Sequence, residues 1–245
     1  MDLGIQGRTA AVAAASTGLG FGCAEALVAE GVRVALCSRD EERVVAAAAR
    51  LGDGAVAIVA DLGTREGAES FVDQAIAKLG QVDILIANAG GPPPGTFATT
   101  TMDAYEEALH LNLLSTVAMC RQAVPTMQER GWGRVVAITS IGARQPIGNL
   151  AASTTARTGV TGFLKVLATE VAPDGVTVNS VQPGVHATDR IKRLGPIEDI
   201  AKRVPARMVG TAEDFGQATA FLCSEQARFI TGTSLLIDGG AYSGL

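Results

Sequence analysis

Aromatic side chains are scarce in this chain, 4% of 245 residues with one Trp and two Tyr, while apolar residues make up 47%. A core without aromatic bulk is built from Ala, Val, Leu and Ile, the composition of buried parallel strands and the helices that cover them. The length fits one large α/β domain that buries roughly three-quarters of its unfolded surface. Cysteine is limited to Cys23, Cys37, Cys120 and Cys223, without paired spacing. That argues against a disulfide framework or a metal site, and for reduced, packed thiols in a cytoplasmic protein. Net charge is −5 with Lys and Arg scattered, which excludes a nucleic-acid surface and a polybasic membrane patch. Long apolar runs are also lacking: the longest charge-free stretch, 84–102, is broken by Asn88, glycines, three prolines and threonines, so no membrane span is expected. The opening MDLGIQGR carries an early acid and no basic segment leading into an apolar stretch, so no secretory signal is expected. Small molecules and further copies of the chain remain as partners.

What is present is an alternation of apolar strand-like runs with helical stretches across residues 9–241, without linker or repeat. That pattern predicts a doubly wound parallel α/β sheet in a single domain, 1–245. The first run, TAAVAAA at 9–15, is poor in β-branched residues and reads as a strand only from its context. It leads into Ser16, Thr17, Gly18, Leu19 and Gly20, then a helical stretch at 21–30. Glycines there allow backbone N–H groups to approach phosphates at a helix N-terminus; a plain strand-to-helix turn is the alternative.

A second strand at 33–37 delivers Ser38 and Arg39. An acid at that edge would accept from both ribose hydroxyls, whereas Arg39 is a bidentate phosphate partner. The expectation is NADP(H) over NAD(H), the alternative being a surface Arg at the start of a helix. The third strand, 55–60, ends at Asp61-Leu62, where the carboxylate can accept from an adenine amino group or cap the next helix. The fourth, 82–87, ends at Asn88, Ala89, Gly90 and Gly91 before three prolines, a small-residue turn against which an adenosine ribose can lie.

Residues 102–130 read as a long helical region. His110 there is packed or solvated, while Asn112, an amide in the apolar frame LNLLSTVAM, must find partners. Trp132 reads as packing at a turn. A strand at 176–181 leads to Pro183, Gly184, Val185, His186, Ala187 and Thr188, a turn at the nicotinamide end of a dinucleotide, with Thr188 placed to bond a carboxamide. His186 titrates near neutrality but has no visible partner. Segment 189–210 is pattern-poor, as a substrate lid or an ordinary surface connection would be. A helix at 212–223 and a strand at 234–237 close the chain.

Residues 139–165 hold the most informative constellation. Ser140 ends an apolar run, and Ser153 stands four residues before Arg157, on one helix face. A hydroxyl facing a hydroxyl and a cation suits the polarisation of a carbonyl. Thr154 and Thr155 are further hydroxyls nearby, and Tyr105 and Tyr242 are far away in sequence.

In STGLG, Asp61-Leu62, NAG at 88, Asn112, Ser140, PGVHAT and TGTSLLIDGG, in that order, the chain resembles the short-chain dehydrogenase/reductase family over essentially its whole length. The resemblance implies a seven-stranded Rossmann-like sheet, assembly as a homodimer or homotetramer, and NAD(P)(H)-dependent hydride transfer between carbonyls and alcohols. It implies Asn112, Ser140, Ser153 and Arg157 as the catalytic positions, with Arg157 also facing the nicotinamide ribose. Three departures from the family stand out: Ala13-Ala14 where Thr-Gly opens the glycine motif, Ser153 where the catalytic Tyr stands, and Arg157 where the Lys stands. A serine hydroxyl is far less acidic than a phenol, which titrates near ~10, and a guanidinium is a poor proton source. Three readings follow: a reductase with a modified acid, a dinucleotide-binding protein with little turnover, and non-redox chemistry as in the related halohydrin dehalogenases. Those dehalogenases also carry Arg for Lys but keep the Tyr and rebuild the cofactor pocket.

Overall fold

Short apolar runs bounded by glycine or polar residues become strands, and the longer Ala- and Leu-containing stretches between them become helices. A computed structural model describes residues 2–193 and 195–244. Its strands are β1 Thr9–Val12, β2 Arg33–Ser38, β3 Ala55–Val59, β4 Ile84–Ala87, β5 Gly133–Ile138, β6 Val176–Pro183 and β7 Ser234–Ile237. All pair in parallel, in the order β3-β2-β1-β4-β5-β6-β7. The expected doubly wound sheet is therefore present. Its strand order reverses between β1 and β4, and in such sheets ligands bind outside the carboxyl ends at that switch point.

The helices are α1 Gly18–Ala29, α2 Glu41–Leu51, α3 Arg65–Leu79, α4 Met102–Ala108, α5 Ser115–Glu129, α6 Ala151–Val171, α7 Asp189–Lys192, α8 Ile197–Ala201 and α9 Ala212–Leu222. They cover the sheet on both faces. Phe71 and Val72 of α3, Met119 of α5 and Leu164 of α6 pack with Leu85 and Val135 on one side. Phe21 and Leu27 of α1, Val44 of α2 and Phe215 of α9 pack with Ile84 and Val136 on the other. The α1–α9 crossing is backbone on backbone: a Cβ added at Gly22 would lie 2.1 Å from the Ala212 carbonyl oxygen.

Local departures from the sequence pattern have physical causes. β1 stops at Val12 because Ala14 turns the chain with a φ of 47°. The stretch 102–130 is helical but not uniform, since a π-helical segment, Leu109–Leu114, joins α4 to α5. Segment 189–210 contains the short helices α7 and α8; its residue 194 lies outside the described residues. Charged groups at the amino ends of the strands are structural: buried Asp83 accepts from the Thr9 amide and hydroxyl. Arg134, 2% exposed, donates to the Ser224 and Gly133 carbonyls and stacks on Trp132, and burial lowers its pKa. All four thiols are buried and free, and burial pushes Cys23, Cys37 and Cys120 up to about 12 and Cys223 higher still, so none is a nucleophile near neutral pH. Among the described residues no helix is long and apolar enough to cross a membrane.

Candidate active site

The carboxyl ends of β1, β2, β4, β5 and β6 converge on one edge of the sheet, and the chain's small and polar residues are concentrated there. After β1 the backbone passes through Ala14 in the left-handed region, where only glycine sits without strain. It continues through Ser16 and Thr17 to Gly18, which also has a positive φ, of 63°. Leu19 and Gly20 then lie inside the first turn of α1. A Cβ at Gly20 would meet the Ala14 carbonyl oxygen at 2.6 Å and Asn88 Nδ2 at 2.9 Å, so the turn closes only with glycine there. Asn88 Nδ2 donates to that same Ala14 carbonyl at 3.2 Å, tying the end of β4 to the glycine turn.

Because Ala14 holds a conformation that costs a non-glycine residue about 1–2 kcal/mol, Ala14→Gly is expected to stabilise the fold. The gain, after the entropy of an added glycine in the unfolded chain, is about 0.5–1 kcal/mol. It is read as a rise in the denaturation midpoint at constant m-value. An unchanged or lower midpoint would show the strain to be relieved elsewhere.

At β2, Ser38 Oγ accepts from the Asp40 amide, Asp40 caps α2 and pairs with Arg43, and Arg39 is exposed just ahead of the cap. Arg39 thus precedes the helix rather than starting it. At β3, Asp61 Oδ1 accepts from the Gly63 amide while Thr64 caps α3. The capping alternative for Asp61 is corrected: a second residue three positions on supplies the cap. Leu62 is buried beside it.

Beyond β4, the Gly90 carbonyl accepts from Asn112 Nδ2 at 2.9 Å. Asn112 lies in the π-helical segment, 3% exposed, and its Oδ1 is buried without a hydrogen-bond partner. Widened helical turns of this kind recur at functional sites. His110 in the same segment is exposed.

Ser140 follows β5 and caps the turn Ile141–Ala143, its Oγ accepting from the Gly142 amide at 3.0 Å. That bond leaves the hydroxyl proton free to be donated. Ser153 is 9% exposed in the first turn of α6, one turn ahead of Arg157. Arg157 Nη1 donates to the carbonyls of Ile138 and Thr139 at 2.9 and 3.0 Å. The cation therefore clamps the strand end that carries Ser140. Sequence reading treats Thr154 and Thr155 alike, but the structure separates them. Thr155 Oγ1 bonds back to the Ala151 carbonyl, while Thr154 Oγ1 is buried, unpartnered and, like Ser140 Oγ, close to Gly142. Only helix phase, which depends on where α6 begins, distinguishes the two.

Pro183 ends β6, paired with Ile237 of β7, and the chain beyond it packs on Asp238: a Cβ at Gly184 would lie 2.7 Å from the Asp238 Cα. Thr188 closes over the glycine turn, its Cγ2 3.6 Å from where a Cβ of Gly18 would stand. The first and last cofactor-turn candidates thus meet in space. His186 does not join them. It is 3% exposed, edge-on to Phe215 at 5.2 Å, with Nδ1 3.4 Å from the Gly184 carbonyl and Nε2 unpartnered.

Burial lowers the His186 pKa, opposed by the Gly184 carbonyl and by Asp214 and Asp238. A base kept neutral in the fold but free to protonate once unfolded makes the unfolded state bind more protons. Its contribution to stability is complete above the ordinary value of about 6.5 and is lost as pH falls below it. His186→Asn is expected to flatten the loss of stability between about pH 7 and 5. Urea midpoints across that range check it, and an unaltered slope would assign the loss to other groups.

Comparison with known proteins finds the same fold and similar sequences over almost the whole chain. A family model described as enoyl-(acyl carrier protein) reductase matches residues 13–242. Dehydrogenase/reductase SDR family member 4 of Sus scrofa is 34% identical over 249 residues, covering 98% of this chain and 89% of the relative. The 3-oxoacyl-(acyl-carrier-protein) reductase of Escherichia coli is 32% identical over 242 residues, 98% of this chain and 99% of the relative. The crystal structure of L-sorbose reductase from Gluconobacter frateurii, complexed with NADPH and L-sorbose, superposes with a TM-score of 0.95 at 29% identity, covering all of both chains. The chain belongs to the short-chain dehydrogenase/reductase family of oxidoreductases.

Proposed function

We propose that the protein is an NADP(H)-dependent oxidoreductase that interconverts a small carbonyl compound and its alcohol, with a non-standard proton route. The observation that carries this reading is the closed turn at Gly18 and Gly20, fenced by Asn88 and Thr188. Backbone N–H groups at the start of α1 receive the pyrophosphate. Leu62, Ala89 and Gly90 form the walls for adenosine, and Pro183 to Val185 with Thr188 hold the carboxamide end. Bound there, the nicotinamide supplies or accepts the hydride.

Ser140 donates a hydrogen bond to the substrate oxygen as charge develops on it, and Arg157 fixes that serine by holding the Ile138 and Thr139 carbonyls. Asn112 Oδ1 and Thr154 Oγ1 are both buried and unpartnered, and a water on either of them takes the place of the family's phenol. Loss of a specialised acid slows such an enzyme by roughly 10²–10⁴-fold without silencing it. A second reading, cofactor binding without turnover, draws on the engagement of Arg157 Nη1 by strand carbonyls.

Preference for the phosphorylated cofactor rests on exposed Arg39 with Ser38, rather than an acid, at the β2 edge. The bound cofactor of L-sorbose reductase supports the same preference. Arg39→Ala should weaken NADPH binding by about 10–100-fold, the value of a charge-assisted phosphate contact, and leave NADH within a small factor. Fluorescence titration measures both, and equal or tighter NADH binding by the unmodified protein would overturn the preference. Absorbance loss against ketones, quinones and acyl thioesters then tests turnover. Binding without turnover on any of them leaves the second reading, and no binding at all refutes both.

A further inference from the structure

On α6 the residues Ser153, Arg157, Thr161 and Lys165 follow one another at intervals of four, so a single helix face runs from the catalytic positions down toward β7. At its lower end this face opens into a cleft of about 260 Å³ between α6 and the β6–β7 edge. Arg144 and Lys165 stand in its walls, Ser180 and Ser234 among them, with Leu164 and Val178 as the apolar part. No carboxylate lines it. Among the described residues neither cation is within salt-bridge distance of an acid.

Each cation is anchored by one bond and keeps other donors. Arg144 Nη2 donates to the Ser234 carbonyl and Lys165 Nζ to the Gly232 carbonyl, both at 3.2 Å, and Arg144 also lies 5.8 Å from the ring centre of Tyr242. Ser180, 2% exposed, shares a hydroxyl–hydroxyl bond of 2.8 Å with Ser234. Two hydroxyls have two protons and that bond uses one, so the pair retains a donor. Two like charges sharing a cleft without an acid repel, and an anion between them removes the repulsion while accepting from all three groups.

We propose that this cleft is a second ligand site, which binds the phosphate or carboxylate group of a small metabolite through Arg144, Lys165 and the Ser180–Ser234 hydroxyl pair. The volume sets the size class. At about 260 Å³ it falls below the ~300–1,000 Å³ of pockets for larger ligands, so a dinucleotide does not fit. The site is separate from the proposed cofactor cleft and does not depend on that assignment.

The test is calorimetric titration of the full chain with inorganic phosphate and, separately, malonate, against chloride at equal ionic strength. Saturable binding of either is expected; phosphate alone identifies phosphate compounds as the ligand, and both together identify oxyanions generally. Arg144→Gln and Lys165→Gln should each weaken binding by about tenfold or more, and the pair should abolish it. Lys165→Arg should retain it, and circular dichroism checks that these exposed positions leave the fold intact. Two results overturn the proposal: no saturable binding of either anion, or binding that survives the double variant.

Discussion

Ser140→Ala will lower kcat/KM for carbonyl reduction by about 10²–10³-fold, the effect of removing a preorganised donor from a developing oxyanion. The serine is well placed for that role because its oxygen is already an acceptor. The Gly142 amide donates to Oγ at 3.0 Å, which turns the hydroxyl proton away from the backbone. Arg157, through the Ile138 and Thr139 carbonyls, fixes the residues immediately before it. Alanine also removes a cap on the turn Ile141–Ala143, at a cost of about 1 kcal/mol, so stability and rate must be measured together. NADPH affinity should be unchanged and kcat should fall with kcat/KM, since the lost interaction belongs to the transition state. A variant that loses the predicted stability but keeps its rate would confine Ser140 to the capping role.

The parts of this protein that could be read from residues alone are those where local chemistry and tertiary context agree. Gly18, Gly20 and Asn88 are an example. The glycines permit a tight turn and the amide needs a partner, and in the fold they meet at the Ala14 carbonyl. Strand TAAVAAA shows context prevailing over propensity, and it also shows the limit of that reasoning. An alanine gives no signal that it will sit at a φ of 47°, because the surrounding turn imposes that strain. Asn112 was legible as a buried amide in need of partners, whereas the π-helical segment around it depends on how α4 and α5 join. His186 has the chemistry of a proton donor, but its direction is set by Phe215 and Gly210, residues on a distant element and its approach. Arg157 is the most instructive case. Helical spacing gives its face, but not that a long side chain on that face turns back to the strand carbonyls.

Ser153→Tyr combined with Arg157→Lys is expected to raise kcat for carbonyl reduction by about 10²-fold, within the range supplied by a positioned general acid. The reason lies in what the present pair cannot do. Ser153 is short and 9% exposed, and its hydroxyl is a far weaker acid than a phenol at about 10. Arg157 keeps its charge, but Nη1 is held by two strand carbonyls. An introduced phenol brings an acid of usable strength to that helix position, and a lysine one turn later supplies a compact charge that lowers its pKa. The substitution of Arg157 gives up bonds to the Ile138 and Thr139 carbonyls, so a loss of about 1–3 kcal/mol in stability should accompany the gain in rate. Ser153→Tyr alone should therefore keep the stability and give a smaller rise, since the guanidinium stays on the strand. If the double variant instead loses an activity that the natural protein has, Ser153 and Arg157 are working members of its proton route. The water on Asn112 or Thr154 would then be delivered through them, and the phenol would have displaced it.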